Sequence, residues 1–136
     1  MTGFKNITVD ELHTILSTTN LGLVEDKSPV NLGLVEGKST TSLEAVEGKQ
    51  GGLQLIDVRT DAEVARGKIP QGVSLPLHLL PLRLSELDKH AQTVFYCQMG
   101  GRSAQAAAFA AANGFTDVYN LQGGITAWAH ASLPVA

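Results

Sequence analysis

The sequence predicts an α/β domain built on a mostly parallel sheet, and three observations carry that expectation. Short apolar runs alternate with helix-like segments along the chain, which is the pattern of strands joined by helical crossovers. Two of the runs, Leu53–Val58 and Thr93–Cys97, read as strands buried on both faces. The 136 residues, 43% hydrophobic and only 17% charged, have the size and composition of one globular domain, not of a disordered, collagenous or disulfide-stapled chain.

The elements follow in order. Phe4–Ile7 is a short strand. Thr8-Val9-Asp10-Glu11 reads as a capping box that opens a helix through about Ser17, with Val9, Leu12, Ile15 and Leu16 on one face. After the Leu53–Val58 strand, Asp61–Arg66 suits one short helical turn. Gly72–Leu75 is a short strand, and Leu79–Leu87 is a helical segment despite Pro81. Thr93–Cys97 precedes a strong helix over Ser103–Asn113, in which seven of eleven residues are alanine and Gly114 is placed to cap the end. Asp117–Leu121 is a further short strand.

Between the first helix and Leu53 lies an internal repeat. Asn20 to Ser28 (NLGLVEDKS) returns at Asn31 to Ser39 (NLGLVEGKS) with one change, and Ser42 to Lys49 (SLEAVEGK) is a weaker third copy, all at a period of 11 residues. Three such units are too short for the solenoids that have periods of about 20 to 50 residues, and glycines at 22, 33, 37, 48, 51 and 52 argue against a long helix. The expectation is a single domain over residues 1–136 in which 20–52 is an insertion, either a mobile segment or a short β-ribbon.

A formal net charge of -3 gives no general electrostatic reason to bind nucleic acid or an anionic membrane. No apolar run approaches the length of a membrane span, and the chain opens without the apolar core of a signal peptide, so the expected compartment is the cytoplasm. Cys97 is the only cysteine, which excludes an internal disulfide; the four histidines, His13, His78, His90 and His130, lack metal-ligand spacing. None of the four is assigned chemistry.

The chemistry is concentrated at Cys97. It ends a central strand, Gln98-Met99-Gly100-Gly101-Arg102 forms a glycine-containing loop, and Ser103 starts a helix, so the sulfur is aimed at the crevice beyond the strand ends, where open α/β sheets bind ligands. Gly100 and Gly101 permit a backbone that turns several N–H groups inward, and the helix adds its positive end. Such a nest lowers a thiol's pKa and favours an anion, which the planar guanidinium of Arg102 is suited to hold. A lone cysteine after an apolar strand is most often inert and a Gly-Gly pair most often a turn. The conjunction of strand end, cysteine, glycine loop, arginine and helix start is what points to function.

On these residues the chain resembles the rhodanese-like sulfurtransferases of the single-domain bacterial type, over nearly everything outside the repeat. Cys97–Ser103 (CQMGGRS) looks like the family's active-site loop. Leu55–Arg59 (LIDVR) and Gly67–Val73 (GKIPQGV) look like its two signatures, and Val118–Trp128 (VYNLQGGITAW) resembles its last strand and helix. The resemblance implies a three-layer domain with five mainly parallel strands, a Cys97 that cycles between thiolate and persulfide, and neither a metal nor an organic cofactor. A sulfane sulfur would pass from thiosulfate or a persulfide donor to a thiol or other nucleophile, including a sulfur-accepting protein. The amides of residues 98–103 would stabilise the charged sulfur, and Arg102 would orient the donor.

Gln98 stands where many thiosulfate-using members carry a basic residue, so Gln98→Arg is expected to improve use of thiosulfate. Lys68 and Gln71 also depart from the second signature, at positions expected to be structural. Asp57 and Arg59 are expected to support the site by fixing neighbouring loops, Trp128 to be core, and Glu63 with Arg66 to form a solvated helix pair. The rival readings are a phosphatase or arsenate reductase, which has five residues between cysteine and arginine where this chain has four, and a non-catalytic sulfur carrier or binding module.

Overall fold

The computed structural model describes residues 3–26 and 53–136, and within residues 18–26 the backbone alone. Strand β1 (Lys5–Ile7) leads into helix α1 (Val9–Asp26); β2 (Gln54–Asp57) is followed by α2 (Asp61–Ala65) and β3 (Val73–Ser74). Helix α3 (Leu80–Arg83) is flanked by 3₁₀ turns at Leu77–Leu79 and Leu84–Glu86, and then β4 (Thr93–Tyr96), α4 (Gly101–Ala112), β5 (Val118–Leu121) and α5 (Gly124–His130) complete the fold. The five strands form one sheet in the order β1-β5-β4-β2-β3, and every pairing is parallel.

Successive residues of a strand point to opposite faces, so each central strand feeds two cores. On one face Ile56, Phe95, Cys97 and Val118 pack with Ala106, Ala107, Ala110 and Ala111 of α4 and with Leu80 of α3. On the other, Leu55, Val94, Tyr96 and Leu121 pack with Leu12 of α1 and with Ile125 and Trp128 of α5. Helices on both faces of a parallel sheet make the three-layer α/β fold that the sequence predicts. The alanines of α4 follow from its position: methyl groups let this helix lie close over β4 and β5. Trp128 is core, as expected, its indole N–H donating to the Pro134 carbonyl at 2.7 Å.

The end of the first helix is corrected. Helix α1 does not stop near Ser17 but runs to Asp26, so the first repeat copy begins as helix, and a β-ribbon through Leu21, Leu23 and Val24 is excluded. Gly22 costs a helix only about 1 kcal/mol, and each residue added to a nucleated helix gains one hydrogen bond. The copies at 31–39 and 42–49 lie outside the described residues. Among the described residues no helix is long and apolar enough to cross a membrane.

Candidate active site

Cys97 follows the last residue of β4 and is 1% exposed, on the face covered by α4. The loop turns back over it. Gly100 adopts φ +110, a conformation that L side chains avoid, and the turn brings the Gly100 N–H to 3.1 Å and the Ser103 N–H to 3.4 Å from Sγ, with the Ser103 hydroxyl also at 3.4 Å. Helix α4 starts at Gly101, two residues before the expected start, so Ser103 lies in its first turn, where N–H groups have no partner within the helix.

Helix α5 holds the other side of the loop. The Ile125 N–H donates to the Cys97 carbonyl at 3.0 Å and the Thr126 N–H to the Gln98 carbonyl at 3.1 Å. With those carbonyls drawn toward α5, the N–H groups that follow turn toward the sulfur. Gly124 makes the approach feasible: at φ +60, a Cβ here would run into the Cys97 carbonyl oxygen and the Gln98 backbone.

Burial pushes the Cys97 thiol up, but hydrogen bonds from the Ser103 hydroxyl and from the N–H groups of Ser103, Gly100 and Met99 outweigh it and hold the thiol below its ordinary range. The site therefore favours a negative charge on sulfur. Ser103 is itself buried and donates to Asn120 Oδ1 of β5 at 2.5 Å, while Asn120 Nδ2 donates to Asn6 Oδ1 of β1 at 3.3 Å.

Asp57 and Arg59 form a buried pair, with Arg59 Nη2 2.8 Å from Asp57 Oδ2 and Nε 3.0 Å from Oδ1. Burial lowers the arginine's pKa, but the Asp57 hydrogen bonds and charge more than compensate and raise it. The guanidinium also donates to the Gly67 carbonyl at 2.7 Å, to the Glu63 carbonyl at 3.4 Å and to Gln98 Oε1 at 3.3 Å. It thus ties α2, the turn after it and the Cys97 loop together, and its hydrogen atoms are spent on protein. Tyr96 stacks beneath it, 5.8 Å from ring centroid to guanidinium carbon, and accepts from the Ile69 N–H.

One expectation is overturned here, and the direction of one loop side chain is defined. Gln98 does not face the sulfur: its Oε1 meets Arg59 and its Nε2 donates to Thr126 Oγ1 at 3.0 Å, so the side chain joins α5 to the buried ion pair. It lines a cleft of about 390 Å³ between α2 and α5 together with Arg66, Gly67 and His130. Nor do Glu63 and Arg66 pair as a solvated couple. Glu63 closes instead on Arg102, Oε1 to Nη1 at 2.7 Å and Oε2 to Nη2 at 2.9 Å. The Arg102 hydrogen bond, seconded by those from Thr60, pulls the Glu63 carboxyl down to about 2.

Of the sequence-predicted residues, the structure brings Cys97, Met99, Gly100, Arg102 and Ser103 around the sulfur or its rim, Met99 being exposed at the apex, while Gly101 faces open space. Asp57, Arg59 and Gln98 form the scaffold beneath. Glu63, Asn120, Gly124 and Thr126 were not singled out for the site from the sequence. Only Glu63 left a signal, because Thr60 and Glu63 have the spacing of a capping box, which the structure realises at the start of α2. Lys68, expected to be structural, donates to the Gly72 carbonyl at 3.0 Å. Among the described residues no three His, Cys, Asp or Glu side chains converge as a metal site would need.

The sequence pattern of the rhodanese-like domain family matches residues 41–131. A protein from Allochromatium vinosum named "Sulfurtransferase" is 49% identical over 81 residues, which are 60% of this chain and 76% of that protein. A thiosulfate sulfurtransferase, GlpE, of Pseudomonas syringae is 35% identical over 77 residues, 57% of this chain and 73% of the relative. Among solved structures, a rhodanese-like domain protein from Staphylococcus aureus superposes with a TM-score of 0.60 at 30% identity, covering 92% of this chain and 91% of its own.

Proposed function

The chain belongs to the rhodanese-like domain family, and from that premise we propose that it is a sulfurtransferase that carries sulfane sulfur as a persulfide on Cys97. The observation that carries this reading is the convergence of the Gly100 N–H, the Ser103 N–H and the Ser103 hydroxyl on one buried sulfur. Three donors around Sγ favour the thiolate that attacks, and the same nest accommodates the negative terminal sulfur that results. With thiosulfate, the thiolate attacks the outer sulfur, the S–S bond breaks, and its electron pair leaves with sulfite, giving Cys97–S–S⁻. With a persulfide R–S–SH, the pair leaves with the thiolate R–S⁻. An acceptor thiolate then attacks the terminal sulfur and regenerates Cys97–S⁻.

Phosphatase chemistry is not favoured. Four residues separate Cys97 from Arg102, and the arginine that would bind a phosphoryl group is engaged by Glu63. The sulfurtransferase names of the relatives point the same way, and the relative named for thiosulfate makes that anion one donor to test. Intact-mass measurement after incubation with thiosulfate, and separately with a neutral alkyl persulfide, tests the reading: Cys97 should gain one sulfur atom and lose it to added thiol. No sulfur on Cys97 from any donor, together with turnover of an aryl phosphate, would overturn it.

A further inference from the structure

We propose that Glu63 determines donor specificity: by holding Arg102 in a bidentate pair, it makes a sulfonate-bearing donor compete for the arginine and tilts the site toward donors without that charge. The inference rests on the sulfurtransferase reading and deepens it.

The geometry is that of a preorganised competitor. Both oxygens of Glu63 meet both terminal nitrogens of Arg102, at 2.7 and 2.9 Å, which uses the fork that a sulfonate would otherwise occupy. Glu63 is not free to swing aside. Its Oε1 accepts from the Thr60 N–H at 3.0 Å and the Thr60 hydroxyl at 3.1 Å, and its own N–H donates back to Thr60. Beneath it, the buried Arg59–Asp57 pair anchors the start of α2 through the Glu63 carbonyl. The pair is nevertheless reachable, since the Glu63 and Arg102 side chains are 20% and 37% exposed.

The buried arginine beneath the pair supplies no substitute cation. Arg59 is buried and committed to Asp57, Gly67 and Gln98, and Gln98 is turned toward α5. A sulfonate that takes the two terminal nitrogens of Arg102 as a fork therefore competes with Glu63 for them. A persulfide on an uncharged alkyl chain, which bears no sulfonate, presents its outer sulfur to the amide nest without needing the arginine, and attack on its S–SH form releases a single thiolate.

The test is steady-state sulfur transfer by the full chain and its Glu63→Gln variant, with thiosulfate and with a neutral alkyl persulfide as donors. Glutamine keeps the length and the capping box while removing the charge. The expected result is a fall of about tenfold in KM for thiosulfate with kcat within about twofold, because a guanidinium released from competition strengthens binding alone. The KM for the alkyl persulfide should stay within about twofold by the same reasoning. Glu63→Asp, which keeps the charge but cannot span the gap with both oxygens, should give an intermediate thiosulfate KM and serves if the glutamine variant does not fold. An unchanged or raised thiosulfate KM, or equal changes with both donors, overturns the proposal while leaving the sulfurtransferase reading intact. If the unmodified chain takes sulfur from neither donor by mass, the functional reading fails, and this proposal with it.

Discussion

The Ser103 hydroxyl oxygen lies 2.5 Å from Asn120 Oδ1 and 3.4 Å from Cys97 Sγ, so a group with one proton faces two acceptors. One proton cannot serve both, so the hydroxyl is shared between the Asn120 carboxamide and the sulfur. A negative charge on the sulfur favours Sγ as the acceptor, which sets a hydroxyl donor beside the N–H groups of Gly100 and Ser103.

Ser103→Ala removes that donor and leaves the backbone ones. The thiolate titration of Cys97, followed by ultraviolet absorbance, should move to higher pH. The sign follows from the depressed pKa: activity rises as pH climbs through the folded value, and the variant needs more alkaline solution to reach its plateau. At neutral pH the rate of persulfide formation should fall about tenfold, consistent with losing a hydrogen bond to a charged group worth about 1.5 kcal/mol. The stability that Cys97 ionisation contributes, present above the unfolded thiol's pKa and lost as pH falls through the folded one, should shrink in parallel. A pH profile superimposable on that of the unmodified chain would refute the role of the hydroxyl.

Cys97→Ser should abolish sulfur transfer with every donor, because a hydroxyl of similar size cannot carry the sulfane sulfur. The fold should persist, with a melting temperature within a few degrees, since the loop's donors accept an oxygen as readily as a sulfur and a loss of about 1 kcal/mol is tolerable. Turnover near that of the parent in a folded variant would sink the covalent mechanism.

Gln98→Arg separates the sequence reading from the structural one. Read from sequence, the substitution adds a charge at the loop mouth and helps thiosulfate. In the structure the new guanidinium arrives beside Arg59, replaces the acceptor at 3.3 Å with a like charge, and gives up the bond to Thr126. Loss of a half-buried, charge-assisted hydrogen bond predicts destabilisation of about 1 to 3 kcal/mol, read by denaturant melts, with no selective gain for thiosulfate. A stable variant with a thiosulfate-specific gain would mean that Gln98 faces the sulfur after all.

What the sequence discloses and what it hides divide along one line. The Cys97 nest was legible because strand end, glycines, helix start and Ser103 occupy seven consecutive residues, and local backbone geometry does most of the positioning. The direction of Gln98 was not, since its partners Arg59 and Thr126 lie 39 and 28 residues away in sequence. Glu63 misled for the same reason: Arg66, three residues on, is the partner that helical spacing offers, whereas Arg102 becomes its neighbour only when β2 and β4 pair side by side. The length of α1 was missed because each glycine weakens a helix without forbidding it.

Two glycines of the site should respond to the same substitution with opposite signs. Gly124 sits at φ +60 with the Cys97 carbonyl oxygen and the Gln98 backbone against the place where a Cβ would stand. Gly101, at the start of α4, has no positive φ and nothing within 4 Å of that place. Gly124→Ala must strain its own backbone and push the loop off α5, a combined cost of about 2 to 4 kcal/mol. The push loosens the bonds from Ile125 and Thr126 that turn the loop's N–H groups toward Sγ, so activity should fall further than stability alone explains, by roughly a hundredfold for a displacement near 1 Å. Gly101→Ala instead reduces the freedom of the unfolded chain in a conformation alanine prefers, a gain of about 0.5 to 1 kcal/mol. Denaturant melts and sulfur-transfer rates for the two variants check the contrast. Equal stability changes would show that α5 does not press on the loop as closely as Gly124 implies, and the account of how the nest is held would have to be rebuilt.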